Sequence, residues 1–167
     1  MNSIFRNVYF WLSVILLFLA AVLFLGIILD FFDFGFIIGP YRFNHWLGWI
    51  GTIFIATYVP LFVLLKPKYI RRIRLLLGIH VIGNLIAYLL ITIHFASQIS
   101  RPAAFYPTLG TGVVQFIFLI ILVTTGILQR FNLLSNYRKK WLFLHRSSVL
   151  ALLMILLFHI LHGLGLL

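Results

Sequence analysis

Residues Arg71–Gln98 read RRIRLLLGIHVIGNLIAYLLITIHFASQ, and this stretch decides the fold. Three arginines lead into a run, Leu75–Ser100, that holds no Asp, Glu, Lys or Arg. At ~1.5 Å rise per residue, a helix of that length crosses the ~30 Å of bilayer hydrocarbon. Two histidines, His80 and His94, lie inside it fourteen residues apart. That spacing is ~21 Å along the axis and close to a whole number of turns, so both fall on nearly the same helix face. An ionisable side chain within a spanning helix is costly and is a functional hypothesis by default. Two of them stacked on one face point to two things bound one above the other.

Outward from this stretch, four more runs lack charge: Asn7–Leu29, Phe43–Leu65, Pro102–Gln129 and Ser147–Leu167. Each reaches the ~18–20 residues that a spanning helix needs. The expected architecture is all-α: one integral membrane domain over residues 1–167, with five transmembrane helices at about 8–29, 44–65, 73–98, 112–129 and 141–166. With 63% of 167 residues hydrophobic, a soluble domain could not hide its apolar surface. The first run is too long for a signal-peptide core, and its Ala20-Ala21 pair sits mid-run, so it reads as helix 1. The chain ends directly after helix 5, so no soluble domain is expected to follow.

The formal net charge is +11, from 13 basic and two acidic residues. In a soluble protein that balance would point to nucleic acid. Here the basic residues cluster in short connections, where they orient the bundle. Loop 2–3 holds Lys66, Lys68, Arg71, Arg72 and Arg74, and loop 4–5 holds Arg130, Arg138, Lys139 and Lys140. Loop 1–2, with a Gly39-Pro40 turn, has Arg42, and loop 3–4 has Arg101. The positive-inside rule therefore places loops 2–3 and 4–5 in the cytoplasm, the N-terminus inside and the C-terminus outside. The setting is a multi-pass protein of the cell (inner or plasma) membrane, bathed in lipid. Cysteine is absent, which excludes disulfides, thiolate metal sites, iron–sulfur clusters and covalent c-type haem.

There are six histidines: His45, His80, His94, His145, His159 and His162. Helix 5 reads WLFLHRSSVLALLMILLFHILHG from Trp141, and its His145 and His159 are again fourteen apart. Helices 3 and 5 both start on the cytoplasmic side, so His80 and His145 share the inner depth, and His94 and His159 the outer. Two neutral imidazoles from opposite sides form the ligand set of a six-coordinate haem iron. The reading is two stacked haems, His80 with His145 and His94 with His159. A single histidine in a membrane helix is as readily a helix–helix hydrogen-bond partner; four at matched spacing are not readily explained that way. His162, one turn beyond His159, is the alternative outer ligand. Gly83 and Ala87 on helix 3 would leave room for macrocycles. Arg72, Arg74, Lys140 and Arg146 are placed for inner propionates, and Arg42, Arg101 and His45 for the outer edge. His45 otherwise reads as interfacial, Met154 as packing, and Gly48, Gly51, Gly112 and Gly126 as close-packing sites.

The paired H-x13-H helices resemble the ferric reductase-like transmembrane domain, the superfamily of ferric reductases, NADPH oxidases and bacterial stand-alone haem-binding membrane subunits. The stretch Lys140-Trp141-Leu142-Phe143-Leu144-His145-Arg146 resembles the basic-Trp-x-x-Leu-His-Arg opening of the second haem helix in bacterial members. The resemblance spans roughly residues 42–163. It implies b-type haem ligation by His80, His94, His145 and His159, and electron transfer across the membrane. A sixth helix and the flavin and nicotinamide domains usual in the reductases are missing, and there is no glycine-rich dinucleotide fingerprint. The chain therefore reads as an oxidoreductase component that depends on partners. A cytoplasmic-side flavoprotein or quinol would donate electrons; a ferric chelate, dioxygen or a partner protein would accept them outside. Two other readings stay open: a non-catalytic cytochrome b anchor of a respiratory complex, and a non-redox membrane protein with a histidine-lined path.

Overall fold

A computed structural model describes residues 7–102, 104, 109–133, 135–163 and 166. Among them, five helices are long and apolar enough to cross a membrane. They are α1 (Val8–Ile28), α2 (Phe43–Lys68), α3 (Ile73–Ile99), α4 (Gly110–Arg130) and α5 (Arg138–Gly163). A two-stranded hairpin, β1 (Ile37–Ile38) with β2 (Tyr41–Arg42), precedes α2. The chain forms two compact units, Met1–Ser100 and Arg101–Leu167. Large apolar side chains such as Phe18, Val63, Leu150 and Phe143 stand exposed along the helices. On helices of this length that surface is the lipid-facing one, and the protein is built as a multi-pass membrane protein.

Local chemistry sets the helix ends. The Asn7 side chain accepts the Tyr9 N–H at 3.0 Å and caps α1. At the other end of α1, Asp30 adopts φ +59, while Phe31 N–H reaches the Gly26 carbonyl and Asp30 N–H reaches that of Ile27. Asn132 (φ +52) closes α4 in the same way, with Leu133 N–H on Leu128 O and Asn132 N–H on Gln129 O. These are Schellman caps, and Asp and Asn are the non-glycine residues that best tolerate the left-handed position. Gly39, at φ +64, opens the two-residue turn of the hairpin, where the first position requires positive φ.

Two boundaries differ from the sequence reading. α2 continues through Pro67 to Lys68. A proline in the last turn forfeits one backbone hydrogen bond only, and Lys66 and Lys68 there complement the helix dipole. α5 begins at Arg138, so Lys139 and Lys140 lie in its first turn and not in a loop. The sequence reading starts helix 5 at about Trp141 because it assigns these cations to loop 4–5. Lys140 Nζ instead lies 5.6 Å from the centre of the Tyr137 ring.

In the unit of residues 1–100, α1 and α3 run in the same direction and α2 runs opposite. Tyr9 borders Gly78 at one end, and Ile27, Leu47, Ile93 and Ala96 form a buried cluster at the other. Close approach of α2 to α3 depends on small residues. A Cβ added at Gly51 would lie 2.8 Å from the Ala87 carbonyl oxygen, and one added at Gly83 would overlap the Phe54 ring. Lipid supplies no hydrophobic drive between helices, so such packing and interhelical hydrogen bonds carry the association, at roughly 0.6 kcal/mol per bond. Tyr58 provides one such bond, donating its hydroxyl to Leu76 O at 3.0 Å. In the unit of residues 101–167, Gln129 Nε2 donates to Trp141 O at 3.0 Å and ties the end of α4 to the start of α5. Two buried hydroxyls are satisfied within their own helices: Ser13 donates to Tyr9 O and Thr92 to Tyr88 O.

The hairpin and the loop before it cap α2. Phe43 N–H donates to Phe36 O, and Asn44 N–H to Phe34 O. The Phe43 ring stacks on that of Phe36 at 4.8 Å, and Trp46 Nε1 donates to Ile38 O at 2.9 Å. Trp46 thereby anchors the hairpin to α2. This capping fixes the backbone of Asn44, on which one of the histidines depends.

Candidate functional site

Four histidines matter, two on α3 and two on α5, and each touches the helix before its own. His94 of α3 faces the start of α2. Its Nδ1 lies 3.2 Å from the Asn44 carbonyl oxygen. A carbonyl can only accept, so Nδ1 carries the proton, and in the neutral ring Nε2 keeps its lone pair. Gly48 lies beneath the ring, and a Cβ there would come within 2.8 Å of His94 Cγ. The His45 ring stands edge-on to His94, with centroids 5.3 Å apart. His45, expected at the interface, is thus half-buried against a candidate ligand. Asn44 itself is 2% exposed, and its Oδ1 finds no hydrogen-bond partner among the described residues.

His80, at the other end of α3, has different surroundings. Asn84, one turn on, donates through Nδ2 to His80 O at 2.6 Å and lies 3.2 Å from His80 Nδ1. The short contact to a carbonyl identifies that amide atom as nitrogen, so His80 Nδ1 faces a donor. The neutral tautomer this favours carries its proton on Nε2. The ring stacks on Phe62 at 4.3 Å and tilts against Tyr58 at 6.5 Å.

On α5 the two histidines have matching partners on α4. His145 Nδ1 lies 2.9 Å from Thr125 Oγ1, and His159 Nδ1 lies 3.0 Å from Thr111 Oγ1. A Cβ at Gly126 would stand 3.4 Å from His145 Cε1, and one at Gly112 would stand 3.3 Å from His159 Cε1. α4 and α5 are antiparallel neighbours, so equal fourteen-residue spacings on both repeat one contact at two depths.

His159 and His162 differ in their surroundings. His159 is half-buried with a hydroxyl partner, whereas His162 is exposed. Gly83 and Ala87, expected to leave room for macrocycles, do not do so. Both are turned toward α2, one filled over by Phe54 and the other packed at Gly51, because helices in lipid use small residues to approach each other. Gly112 and Gly126 are close-packing sites as expected, and what packs against them are the two histidine rings. Arg72, Arg74, Arg146, Lys140 and Arg42 are exposed, and Arg101 follows the end of α3 half-buried. Thr111, Thr125, Asn44 and Asn84 were missed by the sequence reading. For the threonines a signal exists: the dipeptide Thr-Gly occurs at 111–112 and again fourteen residues on at 125–126.

An imidazole that donates Nδ1–H to an oxygen and offers Nε2 is the usual state of a metal-ligating histidine. His94 fits that requirement, and the hydroxyl contacts of His145 and His159 are compatible with it. His80 fits only after its proton moves from Nε2 to Nδ1 and Asn84 gives way. Among the described residues no three His, Asp or Glu side chains converge as a metal-binding group. A ligand set that takes histidines two at a time, as haem does, remains compatible with the residues present.

No protein-family model matches the chain, and no curated protein or solved structure matches it.

Proposed function

We propose that the protein is a transmembrane electron-transfer component that binds two b haems. His80 and His145 would ligate one, His94 and His159 the other. The observation that carries this reading is the repeated pair: α3 and α5 each hold two histidines fourteen residues apart, on helices long and apolar enough to cross a membrane. The state of the His94 ring supports it, since Asn44 O accepts from Nδ1–H and the lone pair is then on Nε2.

A bound b haem supplies a one-electron carrier. The chain's own residues would supply the ligands and an apolar surround. The basic side chains Arg72, Arg74, Arg146 and Arg101 would meet propionates, and the excess of basic over acidic residues offsets the negative charge that two haems bring. By the positive-inside rule, the ends of α3 and α5 that carry His80 and His145 face the cytoplasm. A flavoprotein or quinol would supply electrons from that side, and a ferric chelate, dioxygen or partner protein would receive them on the other. Kinship with the ferric reductase-like superfamily belongs to the same proposal.

A reduced-minus-oxidised absorption spectrum with a pyridine haemochrome count tests it. About two b haems per chain is the expected result. A colourless, correctly folded protein overturns it. His80 favours one narrower reading, because its ring is already satisfied by Asn84 and stacked on Phe62. On that reading the His94–His159 haem is the only one, and the count is about one.

A further inference from the structure

The connection between α2 and α3 concentrates charge that no acidic side chain of the protein answers. Lys66, Lys68, Arg71, Arg72 and Arg74 fall within the stretch KPKYIRRIR, and all five side chains are exposed. The chain's two acidic residues, Asp30 and Asp33, precede the other end of α2. The 26 residues of that helix keep them roughly 39 Å away, too far for an ion pair. The uncharged runs stop at Leu65 and resume at Leu75, so the cations fall where hydrocarbon gives way to headgroups. Only Tyr69–Arg72 lie between the two helices, and the turn is ordered: Tyr69 N–H donates to Leu65 O, Arg72 N–H to Tyr69 O, and the Tyr58 hydroxyl to Leu76 O just beyond. At its tip Tyr69 and Ile70 are 48% and 72% exposed, apolar surface that suits the acyl boundary better than bulk water. The α4–α5 connection displays its charge less openly, since Arg130 is half-buried and Lys140 lies over the Tyr137 ring.

We propose that Lys66, Lys68 and Arg71 bind the phosphodiester headgroup of an anionic phospholipid, with Tyr69 and Ile70 set against the acyl boundary below it. The arginine fork and the lysine ammonium groups are the usual partners of phosphate oxygens, and basic clusters at the end of a spanning helix attract anionic lipid. Arg72 and Arg74 add to the attracting field, but the site needs no direct contact from them, so it stands apart from their propionate role and from haem altogether. By the positive-inside rule this end faces the cytoplasmic leaflet, the one that carries anionic lipid. Lipid fits the turn better than an acidic soluble protein does, because Tyr69 and Ile70 would face water until such a protein arrived.

The test titrates the full chain, in a neutral maltoside detergent, into acyl-labelled phosphatidylglycerol or phosphatidylcholine and reads fluorescence anisotropy. Phosphatidylglycerol should bind on the order of tenfold more tightly at low salt, and the preference should shrink as salt screens it. Equal affinity for the two lipids, or a preference indifferent to salt, overturns the proposal. Lys68→Gln/Arg71→Gln should weaken phosphatidylglycerol binding roughly tenfold and leave phosphatidylcholine unchanged. Lys68→Arg/Arg71→Lys, which keeps both charges, should bind as wild type does. Undiminished phosphatidylglycerol binding by the neutral variant moves the site elsewhere and overturns the assignment. A second measurement leaves every charge in place. In vesicles of the two lipids, the fluorescence that Ile70→Trp adds should be quenched more when the phosphatidylglycerol is brominated than when the phosphatidylcholine is. Equal quenching overturns the proposal. Glycerol 1-phosphate or polyglutamate should not displace the labelled lipid at equal concentration. Displacement by the first would mean a site for a free phosphate ester, and by the second a dock for an acidic protein; either overturns the lipid assignment.

Discussion

The two units handle a pair of histidines differently. In residues 101–167, His145 and His159 meet the same partner twice, a threonine hydroxyl beside a glycine. In residues 1–100, His94 and His80 meet unlike partners. His94 donates to the Asn44 carbonyl over Gly48. Fourteen residues beyond Gly48, the corresponding place on α2 is filled by Phe62, which stacks on His80. The contrast has a physical cause. A Thr-Gly dipeptide can recur on a regular helix, so α4 repeats one solution. At His94 the partner on α2 is a backbone carbonyl, that of Asn44, whose oxygen has a second lone pair to accept with. At His80 the partners are the Asn84 side chain of the same helix and the stacked Phe62 ring. The pairs are thus equal in sequence spacing and unequal in chemistry.

That inequality can be broken experimentally. His94→Ala should have the largest effect, removing the outer haem entirely and leaving the inner one, so that the haemochrome count falls by half. An unchanged count would mean that His94 ligates nothing. Next comes the packing of the rings. Gly48→Ala puts a Cβ 2.8 Å from His94 Cγ, whereas Gly126→Ala puts one 3.4 Å from His145 Cε1. The first is an overpacking change on the order of 1–3 kcal/mol, read as a lowered unfolding midpoint in detergent. The second should cost much less. Equal losses would show that the two units tolerate a methyl group alike and would erase the distinction drawn at Gly48. The smallest effect is of opposite sign. Asn84→Ala removes the donor facing His80 Nδ1, a hydrogen bond worth about 1 kcal/mol. It should strengthen haem binding at the inner site several-fold in a haemin titration. Weaker binding would show that Asn84 supports the ligating form of His80.

Much of the fold was readable from composition alone. Five uncharged runs gave five helices with ends correct to within about three residues. The ends that differ most, Lys68 of α2 and Arg138 of α5, are places where the helix continues past the uncharged run into basic residues that were assigned to loops. The hairpin was read only as a Gly39-Pro40 turn, because two-residue strands are too short to show a pattern. At the candidate site, the candidate ligand histidines are visible in sequence because their spacing is close to a whole number of turns. Their partners are not. Thr125 and His145 are twenty residues apart, and Asn44 and His94 fifty.

What the sequence by itself determined is the class and the candidate ligands: apolar length compels spanning helices, and fourteen-residue spacing puts two imidazoles on one face of each of two helices. What only the tertiary structure decided is the partner of each ring. Which nitrogen holds the proton depends on whether an acceptor or a donor lies within about 3 Å, and that neighbour belongs to another helix at His94, His145 and His159. Gly83 shows the same limit. Its smallness was plain in the sequence, but the direction in which it makes room was set by where α2 packs, and there the Phe54 ring already fills the space.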